Sequence, residues 1–151
     1  MAPNDAPGPE IKLVMPFGIA SDRAGLLYLV EMAEGERVRR IDKKGILTTY
    51  AGTGGKGYFG DGGPARVAEF NGMHSLVATP DGDVYVADTW NNCVRRIVAK
   101  TRIIPTVAGT GRAGFSGDGG PAVQAPFGGI HCIPFGARHQ PLSLAALGRR
   151  R

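Results

Sequence analysis

Two aspartates stand in one repeated setting, Gly60-Asp61-Gly62-Gly63 and Gly117-Asp118-Gly119-Gly120. A carboxylate in such a loop is a candidate Ca²⁺ ligand. Calcium takes about six to eight oxygens, and neither loop holds a second carboxylate nearby. The residue types fit a plainer role better, an Asp side chain accepting backbone N–H groups of its own turn. His74 could ligate Zn²⁺, but one imidazole falls short of the three or four ligands that zinc takes. His131 and His139 lie far off, near the C-terminus. Gly52-x-Gly54-x-x-Gly57 and Gly109-x-Gly111-x-x-Gly114 both fit a dinucleotide fingerprint. That fingerprint needs a helix opening at the glycines within a βαβ unit, and no amphipathic helix follows either one. Their glycines read instead as loop positions allowing positive φ and close backbone approach. No nucleophile, base and acid stand together in a strand–turn–helix setting.

The elements around these residues are short strands. The 24 Gly and 11 Pro among 151 residues are about twice the usual share, and a chain so rich in turn formers favours strands over long helices. Residues 51–65 read AGTGGKGYFGDGGPA and residues 108–122 read AGTGRAGFSGDGGPA, identical at 11 of 15 positions. Leu27–Glu31 returns at the same offset as Val84–Asp88. Val38–Ile41 returns as Val94–Ile97 at an offset one residue shorter, so one loop differs in length between the units. Within one unit, Ser75–Ala78 is an apolar run closed by the turn Pro80-Asp81-Gly82. Asp83–Ala87 is β-branched and aromatic, a second strand. Thr89–Asn92 is a turn in which the side chains of Asp88, Thr89, Asn91 and Asn92 can hydrogen-bond backbone amides. Cys93–Val98 is a third strand, where Arg95 and Arg96 alternate so that one faces solvent and one a neighbouring blade. Ile103–Val107 is a fourth strand, whose Pro105 predicts an edge position. Four antiparallel strands and a Gly-rich connector, repeated, predict an all-β partial β-propeller.

These residues resemble the NHL repeat. The resemblance rests on Gly60-Asp61-Gly62-Gly63-Pro64-Ala65, Asn71-Gly72, Leu76–Ala78, Asp81–Asp88, Asn91 and Val94-Arg95. It spans roughly residues 16–127 and implies a propeller of about six blades. Blades are expected at about 16–50 and 68–107, with a third starting at 125. Residues 1–15 read as an N-terminal extension. Residues 128–151 read as an atypical tail, open to disorder. The first unit departs from the pattern, with Glu31 for the strand-end Asp and Met32–Glu36 for the Asn-containing turn. The third loses the pattern from His131. Two blades leave open faces and edges, so self-association is expected.

Charge argues against nucleic acid. The net charge is +5, but Arg138, Arg149, Arg150 and Arg151 carry most of it, leaving residues 1–127 at +1. A nucleic-acid footprint should lie on the folded body. Cys93 and Cys132 make no disulfide framework. No signal peptide or apolar run of spanning length stands in this sequence, so the chain reads as soluble.

Propeller topology puts the turns between second and third strands on the same face as the connectors. That face gathers Lys56, Tyr58, Phe59, Asp61, Trp90, Asn91, Asn92, Arg112, Phe115 and Asp118, a mixture that binding surfaces favour. Covering the seam between blades is the competing role for Tyr58, Phe59 and Phe115. The first functional reading is a non-catalytic scaffold, incomplete as given, whose ligand is a protein, peptide or carbohydrate on the loop-rich face. The alternative is the remnant of a metal-dependent propeller enzyme, a lyase or a strictosidine-synthase-like hydrolase. The resemblance brings His74 into this alternative, because lyases on such propellers hold zinc through histidines near the channel. RNA binding is a second alternative. No cofactor is expected, with Ca²⁺ at the aspartates and Zn²⁺ at His74 as the weak candidates.

Overall fold

The computed structural model describes residues 12–134 and one short strand before them, Asp5–Pro7. In chain order the strands are β1 (Asp5–Pro7), β2 (Pro16–Ser21), β3 (Leu27–Glu31), β4 (Arg37–Ile41), β5 (Ile46–Ala51), β6 (Met73–Ala78), β7 (Val84–Asp88), β8 (Cys93–Ile97) and β9 (Thr106–Ala108). They form two antiparallel sheets, β1-β5-β4-β3-β2 and β6-β7-β8-β9. These are two blades of a β-propeller, with β2 and β6 as neighbouring inner strands. The segment read as an extension gives the first sheet a fifth strand, with Pro7 opposite Ile46.

Turn chemistry sets the hairpins. Asp42 Oδ1 accepts the amides of Lys44 and Ile46 at 2.8 and 2.9 Å, and closes the β4–β5 turn. Thr79 Oγ1 accepts the Asp83 amide at 3.0 Å in the β6–β7 turn. The fourth strand of the second blade is shorter than its residues predict. Ile104 instead exchanges backbone bonds with Gly62 and Gly63 of the connector, both at 3.0 Å. Pro105 stands just ahead of the edge strand β9, where a missing N–H costs the ladder nothing.

The main core lies between the blades. Val30, Val38, Phe70, Met73, Val84, Val86, Ile97 and Ile104 are fully buried in it. Burying Phe70 alone contributes about 2–3 kcal/mol. A second cluster covers the far face of blade 2, where Val77, Ala87, Val94 and Ala108 pack against Ile130 and Ile133. The start of the expected tail is therefore seated on blade 2. Thr89 Oγ1 donates to Ile130 O at 2.6 Å, and the Ile133 amide donates to Ser75 Oγ at 3.3 Å. Ile130 and His131 follow Met73 and His74 at the offset of the repeat, so the third unit reaches His131. The rest of the tail lies outside the described residues.

Candidate functional site

The loop-rich face is built on a seam that both blades make in the same way. After β7 the chain turns through a single 3₁₀ turn, Thr89–Asn91, and leaves it at Asn92 with φ +50°. Asp88, wholly buried, anchors this turn. Its Oδ1 accepts the Asn71 amide at 2.8 Å, and its Oδ2 accepts Asn91 Nδ2 at 2.9 Å. Desolvation pushes its carboxyl up to about 6, against the pull of those hydrogen bonds and of Arg95. In blade 1, Glu31 stands at the matching position. Its Oε1 accepts the Val14 amide at 3.0 Å, and Val14 is the blade 1 equivalent of Asn71. A longer carboxylate thus performs the task of the expected aspartate.

The next pair is equally regular. Asn92 Oδ1 accepts the Gly129 amide at 3.1 Å. At the equivalent position of blade 1, Glu36 accepts the Gly72 amide on both carboxylate oxygens at 3.1 Å. Glu36 is wholly buried, and burial raises its pKa. Each connector begins with a glycine at φ +93°, Gly52 or Gly109. A Cβ there would stand 2.6 Å from Glu36 O or 2.4 Å from Asn92 O. Only glycine lets the connector cross the turn so closely.

The two arginines divide as their alternation predicts. Arg96 is partly exposed and ion-paired to Asp83, with its Nε at 2.8 Å. Arg95 is fully buried beneath the connector. It donates to Glu69 O at 2.9 Å and Phe59 O at 3.1 Å, and it lies 3.9 Å from Asp88. Asp61 is not an acceptor for its own turn. Its Oδ1 accepts the Thr106 hydroxyl at 2.7 Å and lies 3.6 Å from Arg95 Nε. The Tyr58 hydroxyl also meets Thr106, at 2.8 Å.

Of the residues expected on the face, the structure brings Lys56, Tyr58, Phe59, Asp61, Trp90 and Asn91 together. Asn91 Nδ2 donates to Gly57 O at 2.8 Å, tying the connector to the turn. Lys56 Nζ stands 4.9 Å from the Trp90 ring centroid. Trp90 is 48% exposed, Tyr58 49% and Phe59 63%, so all three present aromatic surface. Arg112, Phe115 and Asp118 lie on the second connector, which begins against Asn92. Phe115 is 92% exposed and so covers no seam between the blades of this chain.

His74 lies on β6 beside this patch. Its Nδ1–H donates to Gly72 O at 2.8 Å. Its ring meets Phe17 at 5.3 Å, Trp90 at 6.0 Å and His131 at 4.7 Å. Phe17, His74 and His131 occupy the same position in successive units, which brings a second histidine to the first. Sequence reasoning missed this partner, although the offset alone would have found it. Among the described residues, no group of three or more His, Cys, Asp and Glu is placed to hold a metal. Cys93 is buried, and burial pushes its thiol up to about 12, far from a reactive thiolate. No helix among the described residues is long and apolar enough to cross a membrane.

Residues 70–97 match the NHL repeat family. A curated relative, protein SUPPRESSOR OF QUENCHING 1, chloroplastic, from Arabidopsis thaliana, is 30% identical over 95 residues. That match covers 62% of this chain and 9% of the relative. A structural genomics protein of unknown function from Bacteroides thetaiotaomicron superposes with a TM-score of 0.65 at 21% identity, over 78% of this chain and 29% of its own. An auxiliary nutrient binding protein from the same organism superposes with a TM-score of 0.60 at 25% identity, over 81% of this chain and 32% of its own. The chain thus spans about a third or less of each of these three proteins.

Proposed function

From a chain that carries an NHL repeat on two blades of a β-propeller, we propose an interaction scaffold that binds a protein, peptide or carbohydrate on its loop-rich face. Trp90 carries the reading. It is a half-exposed indole on a turn anchored by buried Asp88, with Lys56 beside its ring. Exposed aromatic side chains are what binding surfaces enrich. Loops held on a rigid scaffold carry such sites more often than regular elements do. The same architecture serves an auxiliary nutrient binding protein, which supports a binding role here.

Trp90 is the only tryptophan in the chain, so its emission reports on the site alone. Titration with a panel of soluble oligosaccharides and peptides should give a saturable change with at least one class. The double variant Lys56→Ala/Phe59→Ala should weaken that change by about ten-fold or more, a loss of roughly 1.4 kcal/mol. The reading fails if the whole panel leaves the emission unaltered, or if the double variant binds as tightly as the parent chain.

A further inference from the structure

Arg39-Arg40 of blade 1 are the equivalents of Arg95-Arg96 of blade 2. In blade 2 the second arginine is neutralised, because Arg96 is ion-paired to Asp83. The blade 1 equivalent of Asp83 is Leu26, so Arg40 has no such carboxylate. Its Cζ instead lies 5.6 Å from the ring centroid of Tyr50 on β5. A second cation reaches the same ring from blade 2. Arg102 Cζ stands 3.6 Å from the Tyr50 centroid, and its Nη2 donates to Tyr50 O at 2.7 Å. Arg66 stands one residue away, donating to Thr49 O at 2.6 Å. Burial holds the Arg102 guanidinium below its ordinary range, and the charges of Arg40 and Arg66 push the same way.

Arg102 is also held in a strained turn. Its φ is +61°, where the blade 1 equivalent is Gly45 at +78°. A side chain is unfavourable in that region, and such strain collects at ligand clamps. The carboxylates of the surrounding turns are committed elsewhere. Asp22 accepts the Leu26 amide and the Tyr28 hydroxyl, Asp42 the amides of Lys44 and Ile46, and Asp83 the Ala99 amide besides Arg96. Among the described residues, none of them forms an ion pair with Arg40, Arg66 or Arg102. Arg40 Nη1 and Nη2 and Arg102 Nη1 reach solvent and make no hydrogen bond there.

We propose that Arg40 and Arg102, with Arg66 beside them, bind one tetrahedral oxyanion, a phosphate or sulfate group. The site lies at the β4–β5 hairpin end of the blades, away from the loop-rich face. The anion takes the place that Asp83 fills for Arg96, and the guanidinium forks suit its oxygens. Two cations on one ring without a carboxylate repel each other, and the anion relieves that repulsion.

The test uses the chain as it is. Sodium phosphate or sodium sulfate, compared with sodium chloride at matched ionic strength, should shift the Nε–H resonances of Arg40 and Arg102 saturably and raise the thermal midpoint. A response to either anion supports the site, and the tighter one identifies its class. Arg40→Gln should weaken binding about ten-fold. Leu26→Asp, which gives Arg40 the carboxylate that Arg96 has, should weaken it at least as much. If Leu26→Asp does not fold, Arg40→Gln decides. Responses equal to those in chloride, or unaltered affinity in the variants, would overturn the proposal. A single-stranded RNA that bound at these arginines about a hundred-fold more tightly than phosphate would make them part of a polyanion track and overturn the single-anion assignment.

Discussion

Blade 1 and blade 2 use different side chains to make the same bonds. Glu31 does for Val14 what Asp88 does for Asn71, and Glu36 does for Gly72 what Asn92 does for Gly129. The repeat therefore preserves tasks rather than residue types. Each task is the capture of one backbone N–H that would otherwise be stranded in the seam. The blades differ where a task needs a neighbour. Arg95 has a connector over it and leaves only its Nε without a hydrogen bond, whereas Arg39 leaves Nε and Nη2 without one among the described residues.

The largest expected effect separates these two arginines. Arg95→Met removes two hydrogen bonds and the cation beside buried Asp88, which should cost about 4 kcal/mol. Arg39→Met should cost less, about 2 kcal/mol, since it removes one hydrogen bond and a cation 3.8 Å from buried Glu31. Chemical denaturation of both variants checks the contrast. Equal losses would mean that Arg39 is as well served as Arg95.

Next in size is a pH effect of Asp88. Its carboxyl titrates near 6 in the folded chain against an ordinary 3.8, because burial disfavours the charge. The native state then holds this proton more tightly than the unfolded state. Its contribution to stability is fully present below about pH 4 and is lost as pH rises through 6, about 3 kcal/mol in all. Asp88→Asn should remove that slope, so stability differences between the two proteins across pH 4–7 isolate it. A difference that stays constant with pH would show that Asp88 is charged in the fold throughout.

The smallest effect compares the two connectors. Tyr58→Phe loses the bond to Thr106 and should cost about 1 kcal/mol. Phe115→Ala, at the equivalent position, should stay within about 0.5 kcal/mol, because the ring is almost wholly exposed. A comparable loss at Phe115 would mean that the second connector is packed in solution.

Much of the fold was legible because glycine and turn residues recur with a nearly fixed offset. The hairpin turns, the Asp88 turn and the edge position after Pro105 all follow from local chemistry. The substituted tasks were harder to read. Glu31 and Glu36 look like departures from a pattern of Asp and Asn until their acceptor oxygens are seen in place. Asp61 looked like a local cap, yet its partner Thr106 is distant in sequence and reaches it only through the fold. β1 was unreadable for a related reason. Asp5-Ala6-Pro7 has no strand propensity, and only the open edge of β5 makes it a strand. His131 was lost among residues without alternation, although the offset of the repeat placed it beside His74.

The connector between the blades is a stitch. It leaves β5 and fixes Gly62 and Gly63 to Ile104 at the outer edge of blade 2. It then returns so that Arg66 Nη1 donates to Thr49 O of β5 at 2.6 Å, before entering β6. Neither sheet can open without breaking bonds that the other sheet holds. The energy that joins the units is thus woven into each unit, and the chain should open as one cooperative block with shared amide protection. In a longer array of such units, every added repeat would lock the one before it, and loosening would begin at the two ends.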